Sequence, residues 1–99
     1  MINTSLFTAQ AGDYSVIEKA ITANDAIAFD AIYQAINAHA IANSNTLNNY
    51  ITQGICVALS GYSIAAIATL KTVGIIETSD NIHIGITLLG YGFYQSIKI

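Results

Sequence analysis

Acid–base, nucleophilic or metal chemistry in this chain would have to come from two histidines, one cysteine and six carboxylates. His39 lies in an alanine-rich segment and His83 in an isoleucine-rich one, and neither stands with Cys or carboxylate ligands in a zinc pattern. The spacing therefore predicts no metal site. Cys56 is alone, which excludes an internal disulfide, and its neighbours Ile55 and Val57 mark it as a small buried hydrophobe rather than a reactive thiol. A serine nucleophile would need a Gly-x-Ser-x-Gly elbow, which is absent. Gly85 and the pair Gly90 and Gly92 lack the strand, helix and lysine context of a phosphate loop. Asp25 and Asp30 are five positions apart, off a common helix face. The expectation is a non-enzymatic protein with no catalytic residue, no metal and no cofactor.

Charge narrows the partners. Lys19, Lys71 and Lys98 are the only cations, no arginine is present, and the net charge is -3. Duplex DNA binding draws on phosphate neutralisation by Lys and Arg, so it is disfavoured, and the same shortage argues against a polybasic membrane patch. Only 9% of residues are charged while 54% are hydrophobic. Asn, Thr, Ser, Gln and Ala must cover the surface, and some apolar area stays exposed for a protein partner or a second copy.

The stretch from Ala31 to Leu70 carries no Asp, Glu, Lys or Arg. Its most apolar part, Ile55 to Leu70, falls short of the roughly 20 residues a bilayer crossing needs and is interrupted by Ser60, Gly61, Tyr62 and Ser63. The start, Met1 to Ala11, lacks the charge and apolar block of a secretory signal. These features predict a cytoplasmic protein that does not enter a membrane. With 99 residues and no linker or repeat, one domain spanning 1–99 is expected.

Helical periodicity dominates the elements that must position these residues. Ser15 and Glu18 have capping-box spacing, predicting a helix from about Ser15 to Ala23. Asn24 or Asp25 can cap a second helix, in which Phe29, Ile32, Tyr33, Ile36 and Ala40 form one face and Asn43-Ser44-Asn45 the end. Thr46 can cap a third stretch through Tyr50, Ile55, Leu59, Tyr62, Ala66, Leu70 and Val73, with Gly74 as the stop. Gly54 or Gly61 can divide it into two helices. After Gly74 the period falls to 2: Ile75-Ile76, the turn-rich Ser79-Asp80-Asn81 and the alternating Ile82-His83-Ile84-Gly85-Ile86 predict a β-hairpin with one buried face. Thr87 then caps a last element, Leu88 to Ile97, carrying Tyr91, Phe93 and Tyr94. The fold class is mainly α with a small hairpin. Ile67, Leu70, Ile75, Ile84 and Ile86 are expected to form the core between helix and hairpin.

Two phrases give a closer likeness. Leu70-Lys71-Thr72-Val73-Gly74-Ile75-Ile76 and, a wing's length later, Ile86-Thr87-Leu88-Leu89-Gly90 match words common in winged helix-turn-helix domains. From Thr46 to Ile97 the chain resembles that family. The resemblance implies a recognition helix around Ser60 to Thr69, but this stretch offers almost none of the Arg, Lys, Asn or Gln that read base edges. It therefore points to a winged-helix-like module turned to protein contact. By analogy with small acidic proteins of mobile elements, this would be a phage-type inhibitor of a larger complex. The alternatives are a dimeric DNA-binding transcription regulator and, further off, a membrane-inserting or pilin-like subunit. On either of the first two readings the contact residues would be Tyr62, Ser63, Lys71, His83, Tyr91 and Tyr94. The aromatic cluster near Lys98 suits core packing or an interface anchor better than base stacking, which needs a basic groove.

Overall fold

The computed structural model describes residues 11–97. Helix α1 spans Ala11–Ala20. It starts ahead of the expected capping box, so Ser15 and Glu18 lie inside the helix rather than at its mouth. The box sits instead at the next helix, α2, Ala23–Ala42: Thr22 Oγ1 accepts from the Asp25 N–H at 3.1 Å, and Asp25 Oδ2 accepts from the Thr22 N–H at 3.0 Å. Asp25 thus answers Thr22 from the third helical position and is not itself the cap, and Asn24 is not the cap either. Phe29, Ile32, Tyr33, Ile36 and Ala40 are all buried, as their spacing predicts.

The stretch from Thr46 to Val73, expected as one helix or as two divided at Gly54 or Gly61, is two helices with a strand between them. Thr46 caps a short helix α3, Leu47–Gln53, by accepting from the Asn49 N–H. Strand β1 follows at Val57–Ala58, and helix α4, Ile64–Thr72, begins beyond Ser63, whose hydroxyl accepts from the Ala66 N–H. Both candidate glycines act as breaks. Gly54 and Gly61 have φ of 67° and 90°, a region that continues no right-handed helix and that residues with a Cβ rarely occupy. Between them Ile55-Cys56-Val57-Ala58-Leu59 is too short and too β-branched to hold its own helix against an available strand partner.

That partner is the hairpin. Strands β2, Ile76–Thr78, and β3, His83–Ile86, pair with Ile76 opposite Ile86 and Thr78 opposite Ile84, while β1 pairs on the other side of β3 with Val57 opposite Ile84. The order β1-β3-β2 makes a three-stranded antiparallel sheet in which β3 is central. Helix α5, Leu88–Ile97, closes the described chain.

Three helices end alike. Asn45, Ile55 and Ile75 N–H groups return to the carbonyls of Ala40, Tyr50 and Leu70, five residues back, and Ser44, Gly54 and Gly74 N–H groups to those three residues back. This is the Schellman pattern, which satisfies the last carbonyls and turns the chain sharply. The turns fold α2, α4, the sheet and α5 around one core. Ile67, Leu70, Ile75, Ile84 and Ile86 are each no more than 3% exposed and join Phe29, Ile32 and Phe93 there. The protein is therefore mainly helical with a small antiparallel sheet. Among the described residues no helix is long and apolar enough to cross a membrane.

Candidate functional site

Val16, Ile27, Ile41, Ile64, Ile82 and Leu88 are exposed among the described residues, and of these the informative ones are those that stand at a groove. Ile64 is 70% exposed, Ile27 68% and Ile82 53%. Ile27 borders one open groove, and Ile64 and Ile82 border another. One lies between the first turns of α2 and the start of α4, with Asp25, Ile27, Ala28, Tyr62 and Ser63 on its walls. The other lies between the loop before α4 and the hairpin turn, with Leu59, Tyr62, Ile64, Asp80 and Ile82. Tyr62 is half-buried and lines both, so the two grooves meet at this residue.

The local sequence explains this exposure. In α4 the buried stripe is Ala66, Ile67 and Leu70, and at 100° per residue Ile64 falls outside it. Ile82 was expected inside with the alternating isoleucines, but β3 begins only at His83. Asp80 holds the preceding turn by accepting from the N–H groups of Ile82 at 2.9 Å and His83 at 2.7 Å, which takes Ile82 out of the alternation. The His83 ring adds a contact from Nδ1 to Asp80 Oδ2 at 2.7 Å. The His83 N–H above all, then its ring and the Ile82 N–H, hold the Asp80 carboxyl well below the usual carboxylate range. Asp80 lies three residues before His83, and the tight turn between them makes it the ring's partner.

The other expected contact residues scatter. Tyr62 and Ser63 stand together at the groove. Lys71 is exposed at the far end of α4, eight residues or about 12 Å of helix from Ser63. Tyr91 is half-buried. Tyr94 is 3% exposed, stacks on Tyr33 with ring centroids 3.6 Å apart and donates from its hydroxyl to Asp30 at 2.7 Å. Its ring faces the core because it shares a helical face with Phe93 and Gly90.

No family model matches the chain, no curated protein matches it in sequence, and no solved structure matches it in fold.

The remaining reactive side chains are held in structural roles. His39 Nδ1 lies 2.9 Å from the Tyr50 hydroxyl, tying α2 to α3. Cys56 is only partly buried, not enclosed as expected, with Sγ 3.9 Å from both the Gly54 carbonyl and Glu77 Oε1. Burial, and then the Glu77 carboxylate, raise its pKa, which disfavours the nucleophilic thiolate. Among the described residues no three His, Cys, Asp or Glu side chains are grouped to hold a metal ion.

Proposed function

We propose that this protein is a non-enzymatic protein-interaction module that uses the two joined grooves around Tyr62 as its contact surface. The observation that carries the reading is the exposure of Ile27, Ile64 and Ile82 on the rims of adjoining apolar grooves. Aromatic and aliphatic anchors in such a setting are what interfaces bury at their centres. The strand order β1-β3-β2, with α4 running directly into the hairpin, supports a winged-helix-like frame for the module. On the analogy with acidic mobile-element proteins, it would act in the cytoplasm as an inhibitor occupying a larger complex.

A second reading, a DNA-binding regulator, draws on the exposed Ser63, Lys71 and His83, which lie on the helix and hairpin that winged-helix proteins apply to duplexes. A pull-down from the source cell with the full chain and with Ile64→Asp and Ile82→Asp separates the two. Capture of a protein partner that both variants lose supports the module. Recovery of DNA, or capture indifferent to both variants, removes it.

A further inference from the structure

Charge at the joined grooves discriminates between possible occupants. Asp25 stands on the wall of one groove and Asp80 on the wall of the other, and among the described residues no lysine lines either. Lys71 points from the distant end of α4, and Lys19 belongs to the last turn of α1. Each groove thus carries one carboxylate on its wall, that of Asp80 in contact with the His83 ring. Asp80 stays ionised well into acid because three N–H and ring donors converge on it.

Three classes of occupant meet repulsion here. A second copy brings its own net charge of -3 and, in a symmetric pair, its own Asp25 and Asp80. Nucleic acid brings phosphates, and an anionic bilayer brings headgroups of the same sign. A protein segment with apolar side chains flanked by Lys or Arg meets complementary charge in each groove, from Asp25 in one and Asp80 in the other. We infer that the occupant of the joined grooves is a cationic amphipathic segment of a protein partner, with apolar side chains seated around Tyr62 and Ile64 and basic groups reaching Asp25 and Asp80. This rests on the interaction-module reading and adds the chemistry of the partner to it.

The test uses two synthetic peptides with one pattern of Leu and Ile, bearing Lys in one and Glu in the other at every polar position, titrated against the full chain by fluorescence anisotropy. The Lys peptide should bind at least about tenfold more tightly than the Glu peptide, with an affinity that falls as salt rises. Ile64→Asp adds a negative charge, so attraction to the acidic chain at large would strengthen binding. Seating in the grooves predicts the opposite, a weakening of at least about tenfold. Asp80→Asn keeps a turn acceptor while removing the charge and should weaken the Lys peptide several-fold and flatten its salt dependence. Far-ultraviolet spectra and urea midpoints of the variants check folding; both side chains are exposed.

Equal binding of the two peptides, tighter binding by Ile64→Asp, or a dimer that Ile64→Asp dissociates would overturn the inference. The two readings fail differently. If the pull-down partner is lost with Ile64→Asp yet the peptides bind alike, only the cationic chemistry falls. If that partner is retained by Ile64→Asp and Ile82→Asp, the contact surface falls with it.

Discussion

The Thr87 hydroxyl donates to the carbonyl of Gly74, thirteen residues back in the chain, and its oxygen accepts from the Gly90 N–H at 2.9 Å. One side chain thereby ties the end of α4 to the start of α5 across the hairpin. It caps α5 and satisfies a carbonyl at the turn that releases the chain into β2. Gly90 completes the joint: a Cβ at this position would run into the backbone carbonyl of Ile75.

Gly90→Ala should therefore destabilise the protein by about 1–3 kcal/mol or more, because the obstacle is main chain and not a side chain that can swing away. Thr87→Val should cost about 1 kcal/mol through loss of the cap. Urea midpoints read both, and a Gly90→Ala midpoint equal to wild type would show that the α5–Ile75 approach is looser than described.

The same joint shows what was legible in the sequence. The Gly74-Ile75-Ile76 and Thr87-x-x-Gly90 phrases could be read as words, and in space they meet through Thr87 to Gly74 and Gly90 to Ile75. Helical spacing located the buried face of α2 residue by residue, because side-chain direction in a helix follows from position alone. Strand β1 could not be read that way. Two residues carry no periodicity, and their pairing with β3 is set by a partner 27 positions away, as Val57 opposite Ile84 shows. Ile82 escaped for a related reason: alternation counts positions, whereas the side chain of Asp80 decides where the strand begins. The grooves were illegible because they join α2, α4 and the hairpin turn, three segments that only the tertiary fold brings together.

Leu70 is fully buried at the meeting of α4 with the sheet. Leu70→Ala should cost about 2–5 kcal/mol, the transfer of the lost methyl groups plus the cavity left behind. Ile64→Ala, one of the most exposed large side chains on the same helix, should stay within about 0.5 kcal/mol of wild type. Chemical denaturation compares the pair, and a loss well under 1 kcal/mol at Leu70 would mean that α4 presents a different face to the core.

Alkaline conditions should unfold the protein ahead of any general hydrolysis. Burial pushes the Tyr33 hydroxyl up to about 12, with Tyr91 and Tyr94 adding to the rise and the Gln95 hydrogen bond opposing it. Burial likewise raises Tyr14 and Tyr94. An unfolded chain releases these protons near pH 10 while the folded chain retains them, so the unfolded state binds fewer protons and stability falls as pH rises from about 10 to 12. Tyr33 alone accounts for on the order of 2 kcal/mol of that fall. Tyr33→Phe keeps the ring that stacks on Tyr94 and should flatten this limb of the stability curve. Urea midpoints between pH 8 and 12 read the effect, and an unchanged slope would place the titrating group elsewhere.

The last expectation concerns DNA. Proteins that make several phosphate contacts bind random duplex with a Kd of roughly 10⁻⁴ to 10⁻⁶ M, and each contact adds about 0.9 to the salt slope. Lys19 lies in the last turn of α1 and Lys71 in the last turn of α4, while Lys98 falls outside the described residues. At most two of these can be expected to reach one face of a duplex, and Asp80 at the hairpin turn would confront the phosphates that a wing normally approaches. Weak binding with a shallow salt slope follows. Dimerisation would double the carboxylates along with the lysines and bring the pair to twice -3, so it helps only where it gathers the lysines on one side. Titrating labelled random-sequence duplex at two salt concentrations checks the claim, with Asp80→Asn as a second arm. Submicromolar binding that falls steeply with salt would show that local placement of the lysines outweighs net charge, and the regulator would then displace the interaction module as the first reading.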